Sequence, residues 1–364
     1  MDDSRKSVPD LSGSGESGSA SGALAVELFD RQQFAELTRT LSHSLANLPS
    51  QEPVAVALSG GADSSALALI AADLCKSQAR PLYLFHIHHG LFAEADEWLR
   101  RVEVLASHLD APLVVKHVEV QTDSGKGIEA AARQARYEAL SSMSAECKLN
   151  VVLLAHHRQD QAETVLLRLL RGAGVQGLAA MRAESQREGL RLFRPWLDVD
   201  RAEMLALVSD FGRRAGWLPV ADPSNADPRY ARGALRRDVL PAIQAHWPAW
   251  QQTLARHARQ AQDAIEVLDE VAASDLEGLD PDANDGSFSL KLWRLLSPAR
   301  QALVLRYWIQ KQGIAMPGDR KLNELLRQLR QLHQMGSDRD LLWRHDPYSV
   351  RCRQARVFLE PNSP

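Results

Sequence analysis

The sequence predicts an open parallel α/β sheet with helices on both faces, then a helical linker and a small α+β unit at the C-terminal end. Three observations predict it. Short runs that are apolar at consecutive positions, Val54-Ala55-Val56-Ala57-Leu58, Leu82-Tyr83-Leu84-Phe85-His86-Ile87 and Val151-Val152-Leu153-Leu154-Ala155, suit central strands covered on both sides. Helical patterns at Ser65 to Leu74, Glu94 to Leu109 and Ile128 to Ser141 fall beside and between them, so strand and helix alternate. After about Pro219 the alternation stops.

A weaker apolar run, Leu113-Val114-Val115, supplies a further strand. Asp222-Pro223-Ser224-Asn225 is rich in turn formers and marks a break. A long helical stretch follows from roughly Arg232 to Ala273, and Glu277 to Gly286, with Gly278 and Pro281, reads as a linker. The last unit, Ser287 to Glu360, carries two helical patterns and then strand-like pieces around Leu341-Leu342-Trp343 and from Ala355 to Leu359. The expected organisation is a disordered tail over 1–26, a catalytic domain over 27–221, a helical linker over 222–283 and a C-terminal substrate-binding domain over 284–364. The tail rests on the Ser-, Gly- and Asp-rich composition of Met1 to Gly22, which cannot bury enough surface to offset chain entropy and lacks the pattern of a secretory signal.

Composition narrows the function classes. A chain of 364 residues suits two or three domains, and 45% hydrophobic with 24% charged residues is ordinary for a protein with a packed core. The net charge of −3 excludes a polycation, so any nucleic-acid surface must be local. Charge is in fact segregated. Arg320 to Arg356 holds nine Lys or Arg against four acids, whereas Asp263 to Asp285 holds nine acids and no base. The 3 cysteines, Cys75, Cys147 and Cys352, lie far apart, which disfavours a disulfide framework, a zinc site or an iron–sulfur cluster and fits a reducing cytoplasm. No apolar run approaches the roughly 20 residues of a membrane span.

Ser59-Gly60-Gly61-Ala62-Asp63-Ser64-Ser65 falls between the first strand and the first helix. Two glycines let backbone approach an anion closely, the helix N-terminus offers free N–H groups, and three serines add hydroxyl donors. Asp63 would repel a phosphate directly, but suits a magnesium ion placed between carboxylate and phosphate. A plain glycine turn capped by Ser or Asp is the structural alternative. The GxxxxGK[ST] pattern is absent and the loop has no lysine, which disfavours γ-phosphate transfer.

The loop resembles the PP-loop, SGGxDS, of the ATP pyrophosphatases, whose fold is that of the adenine nucleotide alpha-hydrolases. Further segments narrow the resemblance: His86-Ile87-His88-His89-Gly90-Leu91, Ile128-Glu129 through Arg133, Arg136 and Tyr137, His156-His157-Arg158-Gln159-Asp160-Gln161-Ala162-Glu163-Thr164, Arg194-Pro195-Trp196-Leu197, and the turn at Asp222. In this order they resemble the tRNA(Ile)-lysidine synthase family from about Pro53 to Pro241, and more weakly beyond. Some members carry a further C-terminal domain, before which this chain is expected to end.

The resemblance implies a reaction. ATP is cleaved between the α and β phosphates, AMP is placed on the C2 oxygen of the wobble cytidine of a CAU-anticodon isoleucine tRNA, and the ε-amine of free L-lysine displaces it. It implies ATP and magnesium as cofactors, tRNA and lysine as partners, and allows a homodimer. The nucleotide would contact Ser59, Gly60, Gly61, Ala62, Asp63 and Ser64, with Ile87 and His88 near adenine. Asp63 would hold magnesium, and Asp160 and Glu163 would serve the metal or the lysine ammonium, or act as base to it. Their spacing of three shares one helix face, although acids favour any helix start.

Arg133, Arg136, Arg171, Arg229, Arg232 and Arg236 are the expected tRNA contacts. For Arg133 and Arg136 a surface ion-pair ladder remains open, and for the Arg229, Tyr230, Arg232, Arg236, Arg237 cluster a solvated helix start. Gly233 stands where many family members carry Asn. His156 and His157 lack a third metal ligand at suitable spacing and read as loop residues near the nucleotide; His86, His88 and His89 are ambiguous in the same way, with a core role open for His86. Other PP-loop enzymes, namely a tRNA 2-thiolation enzyme, GMP synthetase or NAD synthetase, are the rival readings, with a nucleotide-binding regulatory protein as the non-enzymatic one. Thiolation is disfavoured because no cysteine falls in a motif.

Overall fold

A computed structural model describes residues 27–90, 94–119, 128–222, 227–332 and 340–362. The expected tail over 1–26, Leu91, and Pro223, Ser224 and Asn225 of the turn lie outside the described residues, as does the side chain of Glu129.

The N-terminal half is built on a six-stranded sheet of order β3-β2-β1-β4-β6-β5, formed by β1 (Val54–Ala57), β2 (Leu82–His88), β3 (Leu113–His117), β4 (Val151–Leu153), β5 (Glu184–Arg187) and β6 (Leu190–Phe193). All neighbours run parallel except the edge strand β5, which pairs antiparallel with β6. The expected open parallel sheet is therefore present. β5 and β6 escape the sequence reading because Glu184–Arg187 is an exposed, polar edge strand joined to β6 by the Glu188-Gly189 turn.

The period of two along each strand sorts its side chains between two cores. Val54 and Val56 of β1, with Val151 and Leu153 of β4, enter the core shared with α1 (Ala35–Leu45), α2 (Ala62–Ser77), α3 (Ala95–Leu109) and α7 (Arg201–Ala215). Ala55 and Val152 face the opposite core, beneath Tyr137, Leu140 and Met143 of α4 (Ile128–Glu146). α2 is buried on nearly every side, from Ser64 to Ala71, as its apolar sequence requires for a helix wedged between sheet and helices.

Two helices follow β4: α5 (Arg158–Leu170) and the short α6 (Val175–Leu178). The helices after β1 and after β4 leave toward opposite halves of the sheet, so β1 and β4 form its topological switch point, where open α/β sheets bind ligands. The PP-loop and the start of α5 both open onto that crevice.

The stretch expected as one long helix is broken into α8 (Ala231–Ala234), a π-helical turn (Leu235–Val239), α9 (Leu240–His246) and α10 (Trp250–Glu277). Pro241 and Pro248 cannot donate backbone hydrogen bonds, and the breaks fall beside them. Gln262 of α10 donates to the Ala179 and Met181 carbonyls below α5, at 2.7 and 3.0 Å. At its other end Leu276, with Leu279 just beyond the helix, enters the core of the C-terminal unit, and Asp275 accepts from Arg300. That unit packs α11 (Leu290–Trp293), α12 (Pro298–Lys311) and α13 (Asp319–Gln331) on an antiparallel sheet of order β7-β10-β9-β8, made of β7 (Phe288–Ser289), β8 (Leu341–His345), β9 (Tyr348–Arg353) and β10 (Arg356–Pro361). β9 was not anticipated, because Ser349, Arg351 and Arg353 interrupt its apolar residues.

The Arg194-Pro195-Trp196-Leu197 segment proves to carry structure. Trp196 is fully buried and donates from Nε1 to the Leu37 carbonyl of α1, at 3.2 Å. Arg194 donates to the Arg182 carbonyl and to Ser185 Oγ, at 3.0 and 2.9 Å, closing β6 against the edge. Trp196→Ala should cost about 3–5 kcal/mol of unfolding free energy, read as a lower urea midpoint. An unchanged midpoint would refute the packing role.

Candidate active site

The PP-loop is held by its own side chains. The Ser59 N–H donates to Ser64 Oγ at 3.1 Å, the Ser59 and Ser64 hydroxyls meet at 3.0 Å, and Ser64 Oγ donates to the Gly61 carbonyl at 3.1 Å. Gly60 has φ +84°, and a Cβ there would meet Val102 and Val220 side chains at 2.9 and 3.0 Å. Its carbonyl accepts from the Val220 N–H at 2.9 Å, so this glycine is demanded by internal packing. Gly61 is different. A Cβ there would make only ordinary contacts, so its bare surface is left for whatever approaches the helix N-terminus. His86 fixes the loop from behind: its ring Nδ1 lies 2.8 Å from the Leu58 carbonyl, and burial lowers its pKa, so the neutral ring donates there. Of the roles left open for His86, this is the core one.

The three expected acids meet around one imidazole and a fork of arginines. His157, buried, caps α5, and its Nε2 lies 3.3 Å from Asp160 Oδ2 and 3.9 Å from Asp63 Oδ2. Burial opposes the Asp160 carboxylate, yet the fields of His157 and Arg232 and the His157 N–H outweigh it and hold its pKa below the usual carboxylate range. Glu163 is 0% exposed. Arg236 grips it with Nε–Oε1 at 2.8 Å and Nη2–Oε2 at 2.9 Å, Arg232 adds a contact at 3.3 Å, and Gln159 donates at 2.9 Å. Arg236 also reaches Asp160 at 3.5 Å. Asp63 is itself gripped by Arg201, through Nε at 2.9 Å and Nη2 at 3.2 Å.

The remaining expected residues divide. Ile87 packs into the core under α4, and His88 at the strand end meets Asp96 at 3.1 Å and the His117 ring at 4.6 Å between centroids. Arg133 lies over the Tyr137 ring at 5.3 Å, and Arg136 shares an electrostatic neighbourhood with Arg133, Arg232, Tyr137 and Asp222. These cations and burial act on two histidines. Burial, with Arg136 adding to it, pushes His89 down to about 4, and burial pushes His156 down to about 3, so both rings are neutral near pH 7. Arg171 is exposed at the end of α5, where Arg168 instead ties the turn by donating to the Gly177 and Ala180 carbonyls, both at 2.9 Å. Arg229 is exposed and paired with Asp227. Arg232 and Arg236, expected to face tRNA, are thus brought onto the acids, whereas Arg171 and Arg229 lie outside this network. Gly233 is sterically required, since a Cβ would lie 2.0 Å from the Asp227 carbonyl oxygen.

The sequence reading missed Arg201 altogether and gave His157 no specific partner. Arg201 opens α7 in no recognisable motif, and the only signal was Asp200, whose side chain caps the helix by accepting from the Ala202 N–H. Among the described residues no group of three His, Cys, Asp or Glu is arranged to cage a metal. Asp63 and Asp160 flanking His157 instead fit magnesium, which takes one or two carboxylates and completes its shell with substrate phosphate and water.

Comparison with known proteins agrees with this geometry. Residues 33–243 match the PP-loop domain family and residues 288–358 match the TilS substrate binding domain. The chain is 50% identical over 327 residues to a tRNA(Ile)-lysidine synthase of Bordetella parapertussis, covering 90% of this chain and 95% of the relative. It is 50% identical to one of Bordetella pertussis, covering 86% and 97%, and 44% identical to one of Ralstonia nicotianae, covering 76% and 58%. In fold it is similar to the U34-tRNA thiolase NcsA of Methanococcus maripaludis, at TM-score 0.51 and 16% identity, covering 63% of this chain and 79% of that one. With the PP-loop, the acids of α5 and the substrate-binding unit all in place, the chain belongs to the tRNA(Ile)-lysidine synthase family.

Proposed function

We propose that the enzyme ligates lysine to C2 of the wobble cytidine of a CAU-anticodon isoleucine tRNA, through an adenylated tRNA and with release of pyrophosphate and AMP. The observation that carries this reading is the meeting of the PP-loop and α5 across one crevice, joined by His157 between Asp63 and Asp160. A cytosine C2 oxygen is a poor leaving group, and AMP makes it a good one. The loop N–H groups and serine hydroxyls receive the β and γ phosphates. Asp63, with Asp160 close by, would hold magnesium. That ion, when bound, offsets charge on the phosphates.

The acids then take distinct parts. Asp160, held ionised, suits an ammonium partner for lysine better than a proton acceptor, because a lowered pKa makes a weak base. Glu163 is buried beneath two guanidinium groups and acts by positioning Arg236 and Arg232 toward the crevice. There these arginines can meet RNA phosphate, with Arg133 and Arg136 of α4 beside them. The basic C-terminal unit supplies a second tRNA surface, and Arg344 and Arg351 line a concave cavity on its sheet. The organisation into a catalytic domain over 27–221, a linker over 222–283 and a substrate domain over 284–364 is proposed on the same grounds.

A thiolation chemistry has little support in the site. Cys75 and Cys352 are buried, which pushes each thiol up to about 11, and burial likewise raises Cys147. Among the described residues no helix is long and apolar enough to cross a membrane.

Purified enzyme with CAU-anticodon tRNA, ATP and radiolabelled lysine is expected to give labelled tRNA, with AMP and pyrophosphate released in step. No label under these conditions would overturn the reading. Asp63→Asn should abolish adenylation while tRNA binding persists, as read by filter retention; loss of both would mark Asp63 as a folding residue. Asp160→Asn should raise the KM for lysine by about tenfold or more, and Glu163→Gln should lower kcat by about tenfold with little change in that KM. Equal effects on the two constants in both variants would contradict the division of roles.

A further inference from the structure

The loop has a charge problem that its own residues do not solve. Ser59 to Ser65 contains no lysine or arginine, and its one charged side chain, Asp63, has the sign of the phosphates it would receive. The fold brings a guanidinium there from elsewhere. Arg201, the first residue of α7, spans both oxygens of Asp63, at 2.9 and 3.2 Å.

We propose that Arg201 is a phosphate-binding residue of this site, exchanging Asp63 for the pyrophosphate end of ATP while Asp63 takes magnesium. The inference rests on the PP-loop reading of Ser59 to Ser64. Each group keeps its charge balance in the exchange: the carboxylate trades one cation for another, and the guanidinium trades one bidentate anion for another. Guanidinium forks fit phosphate as well as carboxylate.

Three features favour Arg201 over its neighbours. Its pair with Asp63 opens to the crevice, with side-chain exposures of 40% and 30%, and half-exposed pairs are cheaply broken. Arg236, the rival, is committed to Glu163, which is 0% exposed and would lose its bidentate partner, keeping only the 3.3 Å contact to Arg232 and the Gln159 hydrogen bond. The backbone of Arg201 is also fixed. The preceding Asp200 caps α7 and accepts from Arg158 at 3.3 Å, and the Arg158 N–H donates to Val199 at 3.1 Å. Met204, Leu207, Val208 and Phe211 of α7 pack into the same core as α2, which the loop opens. Only side-chain torsions need change for the guanidinium to move from Asp63 to an anion on the loop.

The test is calorimetric binding of inorganic pyrophosphate, without tRNA or lysine, in EDTA and in magnesium. R201M is expected to weaken binding by about tenfold or more, the scale of a lost charge-assisted hydrogen bond. R201K should fall between R201M and the parent protein, because it keeps the charge without the fork. Asp63→Asn should tighten metal-free binding several-fold, and that gain should largely vanish in the R201M background. Binding by R201M equal to the parent, or an Asp63→Asn gain that is the same with and without Arg201, would overturn the proposal. If R201M unfolds on heating before the parent does, R201K decides: unaltered pyrophosphate affinity in that variant would overturn it. Failure of the parent protein to bind pyrophosphate at all would instead remove the loop's assignment, and the proposal with it.

Discussion

The structure turns on one buried carboxylate. Glu163 projects from α5 with no exposure, in a position where an unpaired charge would be severely penalised. Its compensation comes from Arg232 and Arg236, roughly seventy residues further along the chain, on α8 and the π-helical turn. Satisfying Glu163 therefore docks the segment after Asp227 onto the crevice. Leu235 and Leu240 of that segment, with Trp250, then close an apolar cluster over Ala162 on α5. Charge pairing sets the register of this contact and apolar burial supplies its strength.

From α5 the consequences run in two directions. Inward, the helix start is capped by His157, which stands between Asp160 and the PP-loop Asp63, so the geometry of the loop and of the helix are linked through one ring. Outward, α10 lies against α5 and the turn beyond it and ends inside the C-terminal core, where Leu276 and Leu279 are buried and Asp275 binds Arg300. A 28-residue helix is about 42 Å long, enough to hold the substrate-binding unit at a fixed distance from the crevice. The nine acids between Asp263 and Asp285 fall on this helix and the loop after it, apart from the arginine-lined crevice.

The crevice keeps two electrostatic surfaces side by side. On the loop side, neutral donors stand beside the Asp63–Arg201 pair. On the α4 side, Arg136 acts on His89, and Arg194, Arg136 and Arg133 act on His156, and the lowered pKa values of both rings keep them uncharged beside those cations. Neutral rings there avoid adding to the repulsion among the guanidinium groups, and their Nδ1 atoms are buried without a hydrogen-bond partner.

The sequence by itself determined the features that depend on neighbours along the chain. Apolar runs at 54–58, 82–87 and 151–155 specify buried strands, and the glycine-serine loop after the first of them specifies an anion site at a helix start. The spacing of Asp160 and Glu163 places both on α5. Only the tertiary structure decided which charges meet. Asp63 and Arg201 are separated by 138 residues, and Arg236 and Glu163 by 73, distances over which no local pattern carries information. Arg232 and Arg236 read as a surface cluster because pairing with a distant acid leaves no periodicity, and β6 was invisible because Arg191 interrupts its apolar run. Gly233 looked like a lost side chain, and the fold gives the reason for it, since the Asp227 carbonyl fills the place of a Cβ.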